Sequence, residues 1–98
     1  MLTEKDYCDL DTSHELWIMG LEPEAYYDGP IILLYEAQKW LREEKFLLIV
    51  VDRLINGEYV FSIVDILNYS EKKNGTANSY EEALSEGIKE AVKILKEE

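Results

Sequence analysis

The chain reads as an α+β fold: a short N-terminal element, a helix, an antiparallel hairpin with room for a third strand, and a C-terminal helix packed on the sheet. Three observations predict this α-β-β-(β)-α order. Asn56-Gly57 joins two runs rich in β-branched and aromatic residues. Leu33, Leu34, Ala37, Trp40 and Leu41 recur at helical spacing, and so do Tyr80, Leu84, Gly87, Ile88, Ala91, Val92 and Leu95 behind a capping Ser79. With 98 residues, 47% of them apolar, the chain is sized for one domain with one core.

In chain order, residues 1–11 are polar and acidic and are expected to form a loose arm. Residues 13–23 fit a strand or a short helix. The helix is favoured, because Ser13 can cap its start and Gly20 can adopt the left-handed conformation after its end. Leu21 can then fold back onto Trp17, and Pro23 blocks continuation. Asp28-Gly29-Pro30 reads as a turn that places Pro30 at the first position of the next helix, which runs to Glu44. Glu36, Lys39 and Glu43 occupy the polar side of that helix.

Residues 46–55 and 58–67 form the hairpin. A two-residue type I′ turn at Asn56-Gly57 pairs Ile55 with Glu58. It places Phe46, Leu48, Val50 and Asp52 on one face with Tyr59, Phe61, Ile63 and Asp65. Leu47, Ile49, Val51 and Arg53 share the other with Val60, Ser62 and Val64. Both faces are apolar, so both are expected to be covered, the second by the N-terminal segment or by another chain. A one-residue bulge would exchange the members of the two faces. Because a lone hairpin is marginal, a third strand near residues 74–78 or pairing across a dimer is expected to complete the sheet. The last helix opens on the capping box Ser79-Tyr80-Glu81-Glu82. Gly87 lies on its apolar stripe, where it permits close approach to the sheet.

The formal charge of −11 disfavours direct binding to nucleic acid or to anionic membranes, since both require Lys and Arg. It favours basic partners. The order of elements is shared with double-stranded-RNA-binding domains, but the last helix begins with acids where those domains are basic. The apolar runs are too short to span a bilayer, no N-terminal signal pattern is present, and the lone Cys8 offers no internal disulfide. A cytoplasmic location is expected.

Catalytic chemistry is poorly provided for, and no catalytic residue, metal ligand, cofactor or small-molecule substrate is assigned. Cys8 and His14 both lie in the segment expected to be least ordered, with no orienting third group. Asp52 and Asp65 share a face in the expected register but stand about 13 Å apart along the strand at roughly 3.3 Å per residue. Edge charges are the simpler role for them. Asp6, Asp9 and Asp11 alternate as in a calcium loop but lack its glycine and its closing glutamate. Zinc and phosphate-loop patterns are absent.

Gly29-Pro30, the run from Tyr35 to Glu44, and Ser79-Tyr80-Glu81-Glu82-Ala83-Leu84 with Gly87-Ile88 carry a likeness. Over residues 26–95, including Tyr26-Tyr27, the chain resembles small uncharacterised proteins of phages and mobile elements in Bacteroides-type gut bacteria. That resemblance implies kinship of fold and carries no functional residue with it.

The function expected from these readings is a non-enzymatic protein-interaction module whose partner is another protein or a second copy of itself. The contact residues expected are Tyr59, Phe61 and Asp65 on the sheet, with Glu36, Glu43, Glu82 and Glu86 on the helices. The alternative is a small hydrolase or metal-dependent enzyme that uses the N-terminal acids and His14, with the N-terminal segment folded over a pocket.

Overall fold

The computed structural model describes residues 3–23 and 25–97. A 3-10 turn at Glu4–Asp6 precedes α1 (Leu10–Ile18), the two-stranded ribbon β1 (Ala25–Tyr26) and β2 (Pro30–Ile31), and α2 (Leu34–Glu44). A three-stranded antiparallel sheet follows, in the order β3 (Leu47–Arg53), β4 (Tyr59–Asp65), β5 (Ser70–Ala77), and α3 (Tyr80–Lys96) closes the chain. The expected α+β order, the third strand and the helix packed on the sheet are all present.

Residues expected as a loose arm are instead built into the fold. Tyr7 bridges Leu33, the Cys8 N–H donates to the Ile32 carbonyl at 2.9 Å, and Cys8 is buried. The first helix starts at Leu10, because Asp9 and not Ser13 is its cap: the Asp9 carboxylate accepts from the Thr12 N–H at 2.7 Å. Its end follows the expectation at Gly20, with φ of 116°. There the Gly20 N–H donates to Trp17 and the Leu21 N–H to Leu16, the double bond of a Schellman ending. Pro30 does not open a helix. It pairs with Tyr26, Ile31 pairs with Ala25, and Ile32 and Leu33 are engaged by Cys8 and Tyr7. Four consecutive residues are thus held extended, and α2 begins only at Leu34.

The hairpin turn is one residue longer than expected. Asn56 lacks the positive φ that a type I′ turn requires. Its side chain instead accepts from the Glu58 N–H at 3.0 Å. The Gly57 N–H closes a turn onto the Leu54 carbonyl at 3.0 Å, with Gly57 at φ of 92°. Arg53 therefore pairs with Tyr59 and Leu47 with Asp65, one residue out from the expected register. With a side-chain period of two, that slip exchanges the strand faces. Leu47, Ile49, Phe61 and Ile63 now share the buried face.

The packing helix α3 lies over this inner face, with α2 beside it against β3. Addition of a Cβ at Gly87 would place it 2.8 Å from Ile49 Cγ2, so the glycine permits the close approach expected of it. Ser79 caps α3 by accepting from the Glu82 N–H at 3.1 Å. The outer face carries Leu48, Val50, Val60 and Val64, all half-buried. The N-terminal segment does not cover it, because α1 packs on α3 and β2.

Both sheet edges are blunted against pairing. In β3 the residues bonded to β4 are the even ones, since Phe46 accepts from Ile66 and Leu54 donates to Glu58. The odd residues turn their backbone groups outward, and the Gln38 side chain of α2 donates to one of these, the Ile49 carbonyl, at 2.9 Å. The other edge, β5, is charged and exposed, and carries an irregularity in register opposite Ile63 and Val64.

Candidate functional site

The first helix of the chain is inverted relative to ordinary amphipathic packing. It buries Thr12 (8% exposed) and Ser13 (1%) beside Leu16, and turns Leu10 (66%), Trp17 (41%) and Ile18 (66%) outward. Leu10, His14, Trp17 and Ile18 stand at i, i+4, i+7 and i+8, so they share one face. The ring of His14 meets Trp17 edge-on at 5.8 Å, and Trp17 meets Tyr26 of β1 edge-on at 6.0 Å. Tyr26 and its neighbour Tyr27 are both exposed. Burying small hydroxyl side chains while exposing Trp, Ile and Leu is unfavourable for an isolated fold. A contiguous exposed patch of this kind marks an interaction surface, and Trp and Tyr are the side chains that anchor such contacts.

The patch continues into an open groove of about 1030 Å³ between the N-terminal segment, the ribbon and the start of α3. Leu10, Tyr27, Pro30 and Ile31 supply its apolar lining, and Glu4, Asp9, Asp11, Glu81 and Glu82 rim it with carboxylates. Lys89 also lines it, paired with Asp9 at 3.1 Å and with Glu86 at 3.7 Å. Burial alone would raise the Asp9 pKa. The hydrogen bonds from the Thr12 backbone and hydroxyl, together with Lys89, outweigh burial and hold the carboxyl below its usual range. The hydrogen bond to Asp9 raises the Lys89 ammonium in turn.

The residues expected as contacts are scattered. Phe61 is 4% exposed on the inner face beneath α3 and is therefore a core residue, a correction that follows from the one-residue slip. Tyr59 is half-buried, edge-on to Tyr80 at 6.3 Å. Asp65 is not an edge charge. It ends the central strand and holds the following turn, accepting from the backbones of Leu67 and Asn68 and from the Asn68 amide at 2.8 Å. That amide, with the turn N–H groups and Lys72, lowers the Asp65 pKa. Asp52 and Asp65 lie on opposite faces of the sheet, so they cannot act as a carboxylate pair. Glu36 and Glu43 line a second, smaller groove of about 450 Å³ beside Trp40. Glu82 rims the first groove, and Glu86 pairs with Lys89. Only Glu82 of the expected set lines the groove that continues the α1 patch.

For the enzyme alternative, the N-terminal segment does line a groove, as that reading expects. His14, however, lies outside the lining, against Trp17. Burial, with Asp9 and Glu36 nearby, pushes the Cys8 thiol up to about 12, far from a nucleophilic thiolate at neutral pH. Among the described residues no three His, Cys, Asp or Glu side chains gather as a set able to hold a metal ion. Asp6 instead accepts from the Thr3 N–H, and Asp9 caps α1. No described helix is long and apolar enough to cross a membrane.

A helix capped at Ser13 leaves Leu10 outside it, so the stripe shows only with the cap at Asp9. Begun at Asp9, the same residues show Leu10, His14, Trp17 and Ile18 in one row. Compared with protein-family models, curated proteins and solved structures, the chain matches none of them.

Proposed function

We propose that this chain is a non-enzymatic protein-interaction module, of phage or mobile-element origin and acting in the cytoplasm, which docks a partner protein on the outward face of α1. The observation that carries this reading is the inversion of that helix. Thr12 and Ser13 occupy core positions while Leu10, Trp17 and Ile18 face solvent next to Tyr26. Its test is a comparative capture experiment from host lysate with the native chain, an Ile18→Asp variant and a Val50→Asp variant. A partner retained by the native chain and by Val50→Asp, yet lost with Ile18→Asp, supports docking on α1. Identical capture by all three chains overturns it.

A second reading rests on a different observation. The outer sheet face, with Leu48, Val50, Val60 and Val64 only half-buried, offers a surface for self-association in a two-fold dimer. Light scattering tests it: a dimer that dissociates on Val50→Asp substitution supports the reading, and a monomer at all concentrations removes it.

A further inference from the structure

The docking reading above, on which this inference rests, leaves the chemistry of the partner open, and charge decides it. Between Lys5 and Lys39 the sequence contains no Lys or Arg and eight acids. That stretch holds the whole exposed apolar row, from Leu10 to Tyr27. The adjoining groove is lined by five carboxylates against two lysines, and Lys89 is engaged by Asp9 and Glu86. It ends at the first turn of α3, where the helix dipole would otherwise attract an anion. Glu81 and Glu82 stand there, so an acidic ligand is disfavoured at that end of the groove.

We infer that the groove and the α1 patch seat a basic amphipathic protein segment, with an apolar side chain on Leu10 and Tyr27 and Lys or Arg side chains facing Asp11, Glu81 and Glu82. A second copy of this chain fits poorly. Two-fold pairing would set this acid-rich surface against itself, and opposed like charges are costly at an interface. The pairing of apolar anchors with a predominantly acidic rim assigns affinity to the anchors and partner choice to the rim.

The experiment is calorimetric titration of the full chain with synthetic peptides of about 16 residues, long enough for roughly four helical turns. One peptide carries Leu and Trp on one face with Lys and Arg on the other, and a second keeps the apolar face but replaces the bases with Glu. The basic peptide is expected to bind and to lose about tenfold in affinity between about 50 and 300 mM salt. Leu10→Ala with Tyr27→Ala is expected to cost a further factor of about ten, and Glu82→Gln a smaller loss at low salt alone. Equal binding of the acidic peptide, abolished by Leu10→Ala with Tyr27→Ala, overturns the basic partner while leaving docking intact. Binding of the basic peptide that ignores those two substitutions is unspecific attraction, and it overturns the inference. So does a dimer that Leu10→Asp dissolves, since a second copy would then be the occupant. No binding of either peptide also overturns the inference, and the capture experiment above then judges docking alone.

Discussion

Phe61 and Gly75 face each other across β4 and β5, and the Phe61 ring lies over the glycine so closely that a Cβ there would stand 2.6 Å from Cε2. The other side of the ring meets Gly87 of α3, where a Cβ would stand 3.3 Å from Cδ1. One aromatic side chain is thus held between two glycines, one on the edge strand and one on the packing helix. An aromatic ring laid over a cross-strand glycine compensates for the side chain the glycine lacks. The arrangement also fixes how near α3 comes to the sheet.

Substitution of either glycine by alanine is therefore expected to destabilise the chain, by about 1–3 kcal/mol through overpacking. At Gly87 the gain in helix propensity, about 1 kcal/mol, brings the net cost down to about 0–2 kcal/mol. Urea denaturation checks it, and the double variant Gly75→Ala with Phe61→Leu should cost less than the sum of its single changes. Strict additivity would show that ring and glycine do not press on one another.

Asp9 ties two elements together, capping α1 and pairing with Lys89 of α3. Its folded pKa is lowered, so its contribution is present above the ordinary carboxylate pKa, near pH 4, and is lost as pH falls through the folded value. Lys89 is raised above 10.5, so its share is present below that pH and is lost as pH rises through the higher folded value. Asp9→Ala should cost about 1 kcal/mol at pH 7, mostly from the lost cap. Asp9→Asn should cost a few tenths of a kcal/mol, because it keeps the cap and loses only an exposed ion pair. Thermal melts between about pH 3 and pH 7 should show a shallower acid slope for Asp9→Asn than for the native chain.

Cys8, buried with its thiol pushed up to about 12, should leave about one thiol in 10,000 ionised at pH 8. Iodoacetamide should alkylate it slowly in the native chain and rapidly in denaturant, as followed by mass spectrometry. Rapid alkylation of the native chain would place the thiol in solvent.

The orientation of α1 is tested by a contrast within one helix. Leu16→Ala should cost about 2–5 kcal/mol as a cavity in the core. Ile18→Asp, two residues away, should cost less than about 1 kcal/mol, most of it from an anion at the C-terminal end of the helix. Circular dichroism melts of the two variants check both, and equal costs would mean that the helix is rotated from the orientation described.

Gln38 guards the outer edge of β3 through its bond to the Ile49 carbonyl. Gln38→Ala should cost about 1 kcal/mol for the lost bond and should increase self-association, because the edge is then open to another strand. Sedimentation velocity at rising concentration checks the second effect, and an unchanged monomer would show that α2 itself, rather than its glutamine, covers the edge.

Local patterns in the chain predict the kind and order of the main elements. Helix periodicity from Leu33 to Leu41 and from Tyr80 to Leu95, a turn at Asn56-Gly57, Gly20 at the end of α1 and Gly87 beneath α3 were all legible, because each depends on residues within a few positions of one another. The one-residue slip at Asn56 is also local, set by the Asn56 side chain on the Glu58 N–H and by Gly57 on Leu54, but only the packing of α3 on the sheet put Phe61 out of reach of a partner. Tertiary structure decided the end of the extended run from Pro30 to Leu33, whose Ile32 and Leu33 are held by Cys8 and Tyr7 from more than twenty residues away. The candidate site was the least legible part of the chain. Whether Leu10, Trp17 and Ile18 face inward or outward depends on which side of α1 meets α3, and both sides offer residues that can be buried. Packing against distant elements settled that choice, and local pattern could not.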